Sequence, residues 1–311
     1  MSSPLLFITA CLIWGSTFWA ITLQLGDVAP AVSVVYRFAL AASALFALCR
    51  WRGDRLWLPW KTQRWLLLQG GATFGLSYVC TYAAEQYLVS ALVSVLFALM
   101  VFWNPLCNRI AFGTPLHWRT WCAAAGAMAG VILLFFHAIG GAWQQVRHGG
   151  SGTFLLGFGL AMVATLSSTA GNVLVLKVRQ QSSNVLLTMA WAMLWGSALV
   201  ALWALASGQP WTLPVRPSYW LGLAYLALFG SVIAFHAYFT LIDRIGSQKA
   251  VYIGVITPVL SVLLSIRLEH YRPGPIEWSG MLLCLASVAW ALRAESAPPT
   301  TTISPHLMEN P

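Results

Sequence analysis

The residues of this sequence that could do chemistry are polar side chains placed inside long apolar runs. Thr165, Ser168, Thr169 and Asn172 follow one another at i, i+3, i+4 and i+7, a spacing that puts them on one face of a helix. Two interpretations of this face stay open. It forms the polar wall of a solute cavity, or its hydroxyls bond the backbone of a neighbouring helix. Asn172 contributes most to the cavity interpretation, because an amide has more donors and acceptors to satisfy than a hydroxyl.

Aromatic side chains form a second candidate surface. Tyr78 and Tyr82 lie four residues apart, and a tyrosine ring can stack on an organic solute while its hydroxyl bonds a polar group. Trp14 lies deep in the first apolar run, where it either lines the same cavity or packs, and Tyr82 alternatively belongs to an interfacial belt. The predicted solute-binding residues are Trp14, Thr17, Tyr78, Tyr82, Thr165, Ser168, Thr169, Asn172, His236 and Tyr252.

A histidine and a few carboxylates could carry protons. His236 lies in the middle of an apolar run, and histidine titrates near neutral pH, although a lone histidine on an apolar helix is more often neutral and hydrogen-bonded. Glu85, Asp243 and Glu269 stand at the ends of apolar runs rather than in their middle. Glu85 and His236 are the predicted proton-coupling residues, and facilitated diffusion or exchange without protons stays open.

Three further residues could control movement of the helices. Arg37 lies well inside the second apolar run, and we interpret it as a structural or gating residue more than as a solute-binding one. Pro258 lacks an N–H and can kink the ninth run, and Thr257 beside it is expected to bond a carbonyl that the proline frees. The predicted gating or hinge residues are therefore Arg37, Thr257 and Pro258.

The amino-acid composition indicates that these residues belong to a protein embedded in a membrane. The chain has 311 residues, of which 59% are hydrophobic and only 8% charged, whereas a soluble domain has about 25% charged residues. Lipid must therefore cover much of the surface. The net charge is +9, but no Lys/Arg-rich run of the nucleic-acid-binding type occurs, so no nucleic-acid partner is expected.

The apolar runs predict an all-α integral membrane protein. Each run approaches the roughly 20 residues that a helix needs to cross the hydrocarbon layer, and none alternates as a barrel strand would. The ten predicted transmembrane helices are 5–24, 30–49, 65–84, 89–109, 118–137, 153–176, 184–205, 218–240, 249–267 and 277–293.

Lysine and arginine give the orientation, since these residues concentrate on the cytoplasmic side. With residue 1 in the cytoplasm, twelve of them fall inside and four outside, which predicts an inner (cytoplasmic) membrane protein with both termini in the cytoplasm. The inner set is Arg50, Arg52, Arg55, Lys61, Arg64, Arg109, Arg119, Lys177, Arg179, Arg244, Lys249 and Arg293, and the outer set is Arg147, Arg216, Arg267 and Arg272.

An internal repeat predicts two halves. Ser16-Thr17 in "WGSTFWAI" matches Ser168-Thr169 in "LSSTAGNV" at a spacing of 152 residues. Five helices per half is an odd number, so the halves insert in opposite directions, an architecture of secondary transporters with the solute site near the midplane. The predicted fold is two inverted five-helix repeats around a central cavity. The predicted divisions are residues 1–137, a linker at 138–152, residues 153–293, and a disordered cytoplasmic tail at 294–311.

Four motifs in order resemble the EamA-type branch of the drug/metabolite transporter superfamily. They are "IWGSTFWAI" from Ile13, Tyr36-Arg37-Phe38 after Pro30, "GSVIAFHAYFTLIDRIGSQKAVYIGVITPVLSVLLS" from Gly230, and Glu269 followed by Tyr271-Arg272. The fourth helix departs from the family pattern. Where the family has a proline this sequence reads Met100-Val101-Phe102, and Gly113 is followed by Thr114 instead of an acid, so no carboxylate role is carried over to that loop.

The resemblance implies a bundle of ten helices that exports amino acids, related metabolites or toxic compounds. The expected function is a secondary-type exporter of a small organic solute working by alternating access, with a metabolite importer or exchanger as the alternative. A membrane enzyme acting on lipid is a distant third hypothesis, because the six histidines are scattered and show no metal spacing. No Walker A sequence occurs, and no cofactor or metal is expected. The expected partners are the bilayer, the solute and protons as coupling ion, with the chain a monomer or a dimer.

Overall fold

A computed structural model describes residues 2–113, 118–136, 153–245 and 253–295, and the described residues contain helices but no β-strand. The helices of the first part are α1 (Ser3–Thr22), α2 (Pro30–Trp51), α3 (Trp60–Gly70), α4 (Ser77–Ala84), α5 (Ser90–Ala98), α6 (Met100–Phe112) and α7 (Trp118–Leu134). Those of the second part are α8 (Thr153–Arg179), α9 (Val185–Ala206), α10 (Pro217–Ala224), α11 (Ala234–Ile245), α12 (Ile253–Leu268) and α13 (Pro275–Glu295). Two π-helical segments, Gly71–Leu76 and Tyr225–Ile233, join α3 to α4 and α10 to α11.

The apolar sequence explains why helices form. In hydrocarbon each backbone N–H and C=O must find a partner within the protein, and a helix supplies these bonds from its own backbone. Pro30 and Pro217 stand at the start of α2 and α10, where a missing N–H costs no hydrogen bond. Gly113 ends α6 with a φ of 68° and donates its N–H to Arg109 at 2.8 Å, a left-handed conformation that glycine adopts without strain.

Each of the ten predicted runs coincides with a helix, or with consecutive helices, among the described residues. Five helices are long and apolar enough to cross a membrane: Ser3–Thr22, Pro30–Trp51, Thr153–Arg179, Val185–Ala206 and Pro217–Tyr238. The bent pair Ser90–Ala98 and Phe102–Ala111, with an angle of 41° between its two parts, would make a sixth. The described helices therefore establish an all-helical membrane protein, and the full number of ten spans remains a prediction.

The helices pack as an interleaved bundle rather than as two separate halves. Helix α2 packs along α9, and α7 packs along α13. Helix α1 contacts both α11 and α12, and α8 contacts α3, α4 and α6. A Cβ atom on Gly130 would lie 2.6 Å from the Cys284 nitrogen and 2.7 Å from the Gly280 oxygen. The α7–α13 contact therefore depends on glycine at its closest point.

Candidate functional site

A cavity of about 240 Å³ lies between the helices that contain the predicted site residues. Its walls come from α1, α4 with the preceding π-helical segment, α5, α6, α8, α11 and α12. Five of the predicted solute-binding residues line it, together with both hinge residues of α12. These are Trp14, Thr17, Tyr78, Ser168 and Asn172, with Thr257 and Pro258.

Aromatic side chains make one wall of the cavity. The indole N–H of Trp14 donates to the Gly230 carbonyl at 3.2 Å, so its polar atom has a partner within the protein. The Trp14 ring packs against Phe235 and Tyr238 at centroid distances of 5.1 and 5.2 Å. Phe18 and Phe97 meet edge to face at 5.6 Å and also line the space. This wall offers a large aromatic surface to the apolar part of a solute.

Amide and hydroxyl groups also line the cavity. Asn172 on α8 donates to the Asn104 amide oxygen on α6 at 3.4 Å, and both residues line the cavity. Thr165 and Thr169 do not line it. They are fully buried and donate to the Ala161 and Thr165 carbonyls of their own helix. The predicted polar stripe is therefore divided, with Ser168 and Asn172 on the cavity side and the two threonines on a packing side.

Arg37 lies behind the cavity wall and not in it. Its side chain is 1% exposed, and its Nε donates to the Ser231 hydroxyl at 3.2 Å. The guanidinium carbon lies 4.6 Å from the ring centre of Tyr78, a cation–π distance, and Tyr78 lines the cavity. Arg37 thus holds α2 to the Tyr225–Ile233 segment and supports one of the aromatic residues of the site.

Tyr82 extends this buried network to Gln24, which follows the end of α1. Its hydroxyl accepts from Arg37 Nη1 at 3.4 Å and donates to the Gln24 amide oxygen at 2.7 Å. Tyr82 is fully buried and is not among the described residues that line the cavity. The network therefore joins α2, α4, the second π-helical segment and the chain that follows α1 at one end of the cavity.

Two carboxylates lie near the same end. Glu85 follows the last residue of α4, is 7% exposed, and has no hydrogen-bond partner for either oxygen among the described residues. Burial raises the pKa of the Glu85 carboxyl well above its ordinary value, the Glu269 carboxylate raises it further, and the Arg37 guanidinium opposes the rise. The protonated form of Glu85 is therefore favoured.

Glu269 by contrast is well bonded. It accepts from the Ser90 backbone N–H at 3.3 Å and from the hydroxyls of Ser90 and Ser265. These contacts join the beginning of α5 to the end of α12. Glu269 therefore acts as a polar link between the two helices, whereas the Glu85 carboxyl has no hydrogen bond to any residue that the structure describes.

The remaining predicted residues have other positions. His236 is exposed on α11 and is not among the described residues that line the cavity. Tyr252 lies outside the described residues, as do the predicted linker and most of the predicted tail. Thr257 was expected to bond a carbonyl freed by Pro258, and this is wrong, because its hydroxyl has no hydrogen-bond partner among the described residues.

The fourth run holds the residues that sequence reasoning missed. Pro105 lies inside α6, and Asn104 before it lines the cavity, so the expected absence of a proline from this helix is wrong. Pro105 and Pro258 are 153 residues apart, nearly the repeat spacing of 152, so the repeat applied to the fourth and ninth helices would have found it. The helix of the fourth run is interrupted at Leu99, between α5 and α6 and six residues before this proline.

Comparison with known proteins supplies the context for this site. The sequence model of the EamA-like transporter family matches residues 1–136 and 155–293. An inner membrane transporter of Escherichia coli K12, YedA, is 27% identical over 279 residues, covering 86% of this chain and 83% of that protein. A probable amino-acid metabolite efflux pump of the same strain is 23% identical over 286 residues, covering 89% of this chain and 90% of that protein.

Two further comparisons extend the set. A probable biotin transporter of Pseudomonas aeruginosa is 30% identical over 241 residues, covering 74% of this chain and 75% of that protein. One solved crystal structure has a TM-score of 0.64 at 22% identity, covering 95% of this chain and 99% of its own. At that identity the structural likeness concerns the fold alone.

Proposed function

We propose, from the premise that this chain belongs to the EamA-like transporter family, that it is a secondary-type exporter of a small organic solute in the inner membrane. Membership of this family makes the chain a transporter and decides against the hypothesis of a lipid-modifying enzyme. The observation that supports a solute site most directly is the cavity, whose lining combines aromatic rings with amides and hydroxyls. Weak binding by such groups suits a carrier that must also release its solute.

The proposed architecture is ten spans in two inverted halves. In the proposed repeat, the first run (α1) corresponds to the sixth (α8), the third (which ends in α4) to the eighth (which ends in α11), and the fourth (which ends in α6) to the ninth (α12). The α1–α12 contact then has the α8–α6 contact as its counterpart, and the α8–α4 contact has the α1–α11 contact. The α2–α9 and α7–α13 contacts convert into themselves. All of these contacts occur, which supports a pseudo-two-fold axis through the cavity.

The π-helical segments support the same symmetry. They interrupt the third and eighth runs, which are counterparts in the proposed repeat. In each case a side chain from the first helix of the other half donates to a carbonyl of the segment: Trp14 to Gly230 at 3.2 Å, and Ser167 to Ala72 at 2.9 Å. Such segments often occur at functional sites, and Thr73 of the first segment lines the cavity.

The state described by the structure fits an exporter that loads from the cytoplasm. If both termini are in the cytoplasm, as proposed, three polar contacts lie at the outer ends of helices. They are the Glu269–Ser90 link, the Asp27–Arg216 ion pair and the 3.0 Å Ser33–Tyr219 hydrogen bond. The cavity reaches Ile253 and Gly254 at the inner end of α12. Opening the outer end would require these polar contacts to separate, as alternating access demands.

Protons are the proposed coupling ion, with Glu85 as their carrier. A buried carboxyl that favours its neutral form can exchange a proton when a conformational change exposes it. Facilitated diffusion and exchange are the alternatives. Import instead of export would use the same cavity, and the direction of net solute accumulation separates the two.

A proteoliposome flux assay tests the transporter proposal. The panel contains amino acids, aromatic metabolites and cationic dyes, with and without a proton gradient. We expect flux of at least one solute, reduced about tenfold by Asn172→Ala and by Tyr78→Ala, because each removes a contact made in the cavity. Gln86→Ala and Tyr87→Ala are the matched controls, since both residues are exposed and line no described cavity. Absence of flux across a broad panel by folded protein would contradict the proposal.

A further inference from the structure

A small side chamber continues the main cavity towards the inner end of α8. Its volume is about 50 Å³, and it shares Thr73, Asn172 and Phe235 with the cavity wall. Gln69 and Arg179 also line it. Arg179 is the last residue of α8 and is partly buried, and it borders the chamber at the proposed cytoplasmic end.

The charged residue among the described lining of the cavity and the side chamber is positive. Among the described residues that line them, Arg179 carries a formal charge and no aspartate or glutamate occurs. Arg37 adds a second positive charge directly behind Tyr78. A guanidinium has five donors, so Arg179 can keep its existing interactions and still bind an acid group. A solute carrying an ammonium group would find no carboxylate on these described walls, whereas a solute carrying a carboxylate meets a group of complementary charge and geometry.

The break in the fourth run also borders the cavity. Ala98 ends α5 and Met100 begins α6, and both line the cavity. The N-terminus of a helix carries partial positive charge, and half-helix ends of this kind face anionic groups in other transporters. Independently, Thr257 lines the same cavity with a side chain 9% exposed, and its hydroxyl has no hydrogen-bond partner among the described residues. A ligand oxygen would give that hydroxyl a partner.

We propose that the solute is an amphipathic organic anion, with one acid group on an aromatic or aliphatic body and no amine. Arg179 attracts the acid group into the side chamber from the cytoplasm. Deeper in the cavity, the beginning of α6 and the Thr257 hydroxyl hold that group, while Trp14 and Phe235 cover the apolar body. This inference rests on the proposed transport function and narrows its substrate class.

The test compares four probes that share one phenyl ring and differ in charge. They are 3-phenylpropionate, 3-phenylpropanamide, phenylalanine and 3-phenylpropylamine, titrated calorimetrically into the purified full chain in detergent. We expect the anion to bind about tenfold more tightly than the amine, with the amide and the amino acid between them.

Variants assign the preference to Arg179. Arg179→Gln is expected to weaken 3-phenylpropionate binding about tenfold and to leave the amide almost unchanged, because a neutral probe does not make the charge-assisted bond that the substitution removes. Arg179→Lys should retain part of the preference. Arg109→Gln, at the exposed inner end of α6 and on neither described wall, should change nothing. This control shows whether the preference for the anion comes from Arg179 at the chamber or from the overall positive charge of the inner face.

Three results would overturn the proposal: equal or tighter binding of the amine, no loss of anion affinity in folded Arg179→Gln, or no binding of any probe. The flux panel keeps this failure distinct from failure of the transport function. If a cationic dye or a zwitterionic amino acid crosses the proteoliposome membrane while the anion does not bind, the chain is a transporter of another substrate class.

Discussion

At the scale of single residues, Arg37 and Glu85 are two buried ionisable side chains at the proposed outer end, and they differ in how the cost of their burial is met. Arg37 has hydrogen bonds and aromatic faces around it, so the cost of burying its charge is offset by local partners. Glu85 has no hydrogen-bond partner among the described residues. A buried carboxyl of that kind is stable mainly in its neutral form, and this difference leads to two predictions.

Replacing Tyr82 by phenylalanine is expected to destabilise the protein by about 1–3 kcal/mol, because Arg37 Nη1 loses an acceptor and Gln24 loses a donor inside the protein. The measurement is reversible unfolding in mixed micelles. Tyr87→Phe is the matched control: Tyr87 is 41% exposed, so its loss should stay within about 0.5 kcal/mol. Equal effects of the two substitutions would show that the Tyr82 hydroxyl contributes no stability.

Replacing Glu85 by glutamine is expected to change how stability depends on pH. The pKa of Glu85 is raised in the folded state, so the folded protein retains this proton to higher pH than the unfolded chain does. The stability that this proton provides is complete below the carboxyl's ordinary pKa and is lost as pH rises through the folded value. Glu85→Gln cannot lose a proton there, so the variant should gain stability relative to the parent protein as pH increases.

Thermal unfolding of both proteins at pH 5 and pH 8 measures this effect. The difference in melting temperature between variant and parent should be more positive at pH 8. A difference that is the same at both values would mean that Glu85 does not titrate in this range. If Glu85 also carries the coupling proton, Glu85→Gln should abolish the dependence of solute flux on the proton gradient.

At the scale of helices, interruptions and close contacts have separate roles. The first π-helical segment and the break at Leu99 border the cavity, where irregular backbone can meet protein groups or a solute instead of lipid. The α7–α13 pair lies apart from the cavity and is regular, with glycines at the contact. Disturbing this pair should therefore affect stability before it affects solute binding.

Gly130→Leu is expected to destabilise the protein by several kcal/mol, because even a Cβ atom would lie 2.6 Å from the backbone nitrogen of Cys284 and the two helices must move apart. Gly159→Leu on α8 provides the control, since nothing lies within 4 Å of a Cβ at that position. Thermal stability and yield of monodisperse protein are the measurements. Tolerance of leucine at Gly130 would contradict the close packing of α7 and α13.

At the scale of the whole molecule, the polar contacts at one end and the cavity at the other are what we propose as one state of an alternating-access cycle. The Glu269–Ser90 and Asp27–Arg216 contacts join helices at one end, and the orientation predicted from lysine and arginine places that end outside. The inner end carries Arg179 and the beginning of α12. Orientation and open side can be measured together.

A single cysteine at Asn172, in a chain otherwise lacking cysteine, should react with a membrane-impermeant maleimide in inside-out vesicles and be protected in right-side-out vesicles. Asn172 is exposed in the cavity, so access is decided by which end is open. A cysteine at Ser207, after the end of α9, should show the reverse pattern. If both patterns are reversed, the termini lie outside, and if only Asn172 is reversed, the outward-open state dominates.

Sequence by itself determined the all-helical membrane fold, because hydrocarbon admits apolar runs of this length mainly as helices. Its motifs also identified the family, and its spacing identified Trp14, Thr17, Tyr78, Ser168, Asn172, Thr257 and Pro258 as candidates that the structure places on one cavity. The inverted arrangement and the transport mechanism stay predictions from the same sequence.

Tertiary structure decided which face of each helix meets the cavity. Helical periodicity groups Thr165 and Thr169 with Ser168 and Asn172, but the rotation of α8 is set by packing against α4 and α6, which turns the two threonines away. The same cause places Tyr82 in the Arg37 network, buries Glu85 beside Glu269, and brings Asn104 and Arg179 to the solute space. Periodicity fixes which residues share a face, whereas the neighbouring helices fix what that face contacts.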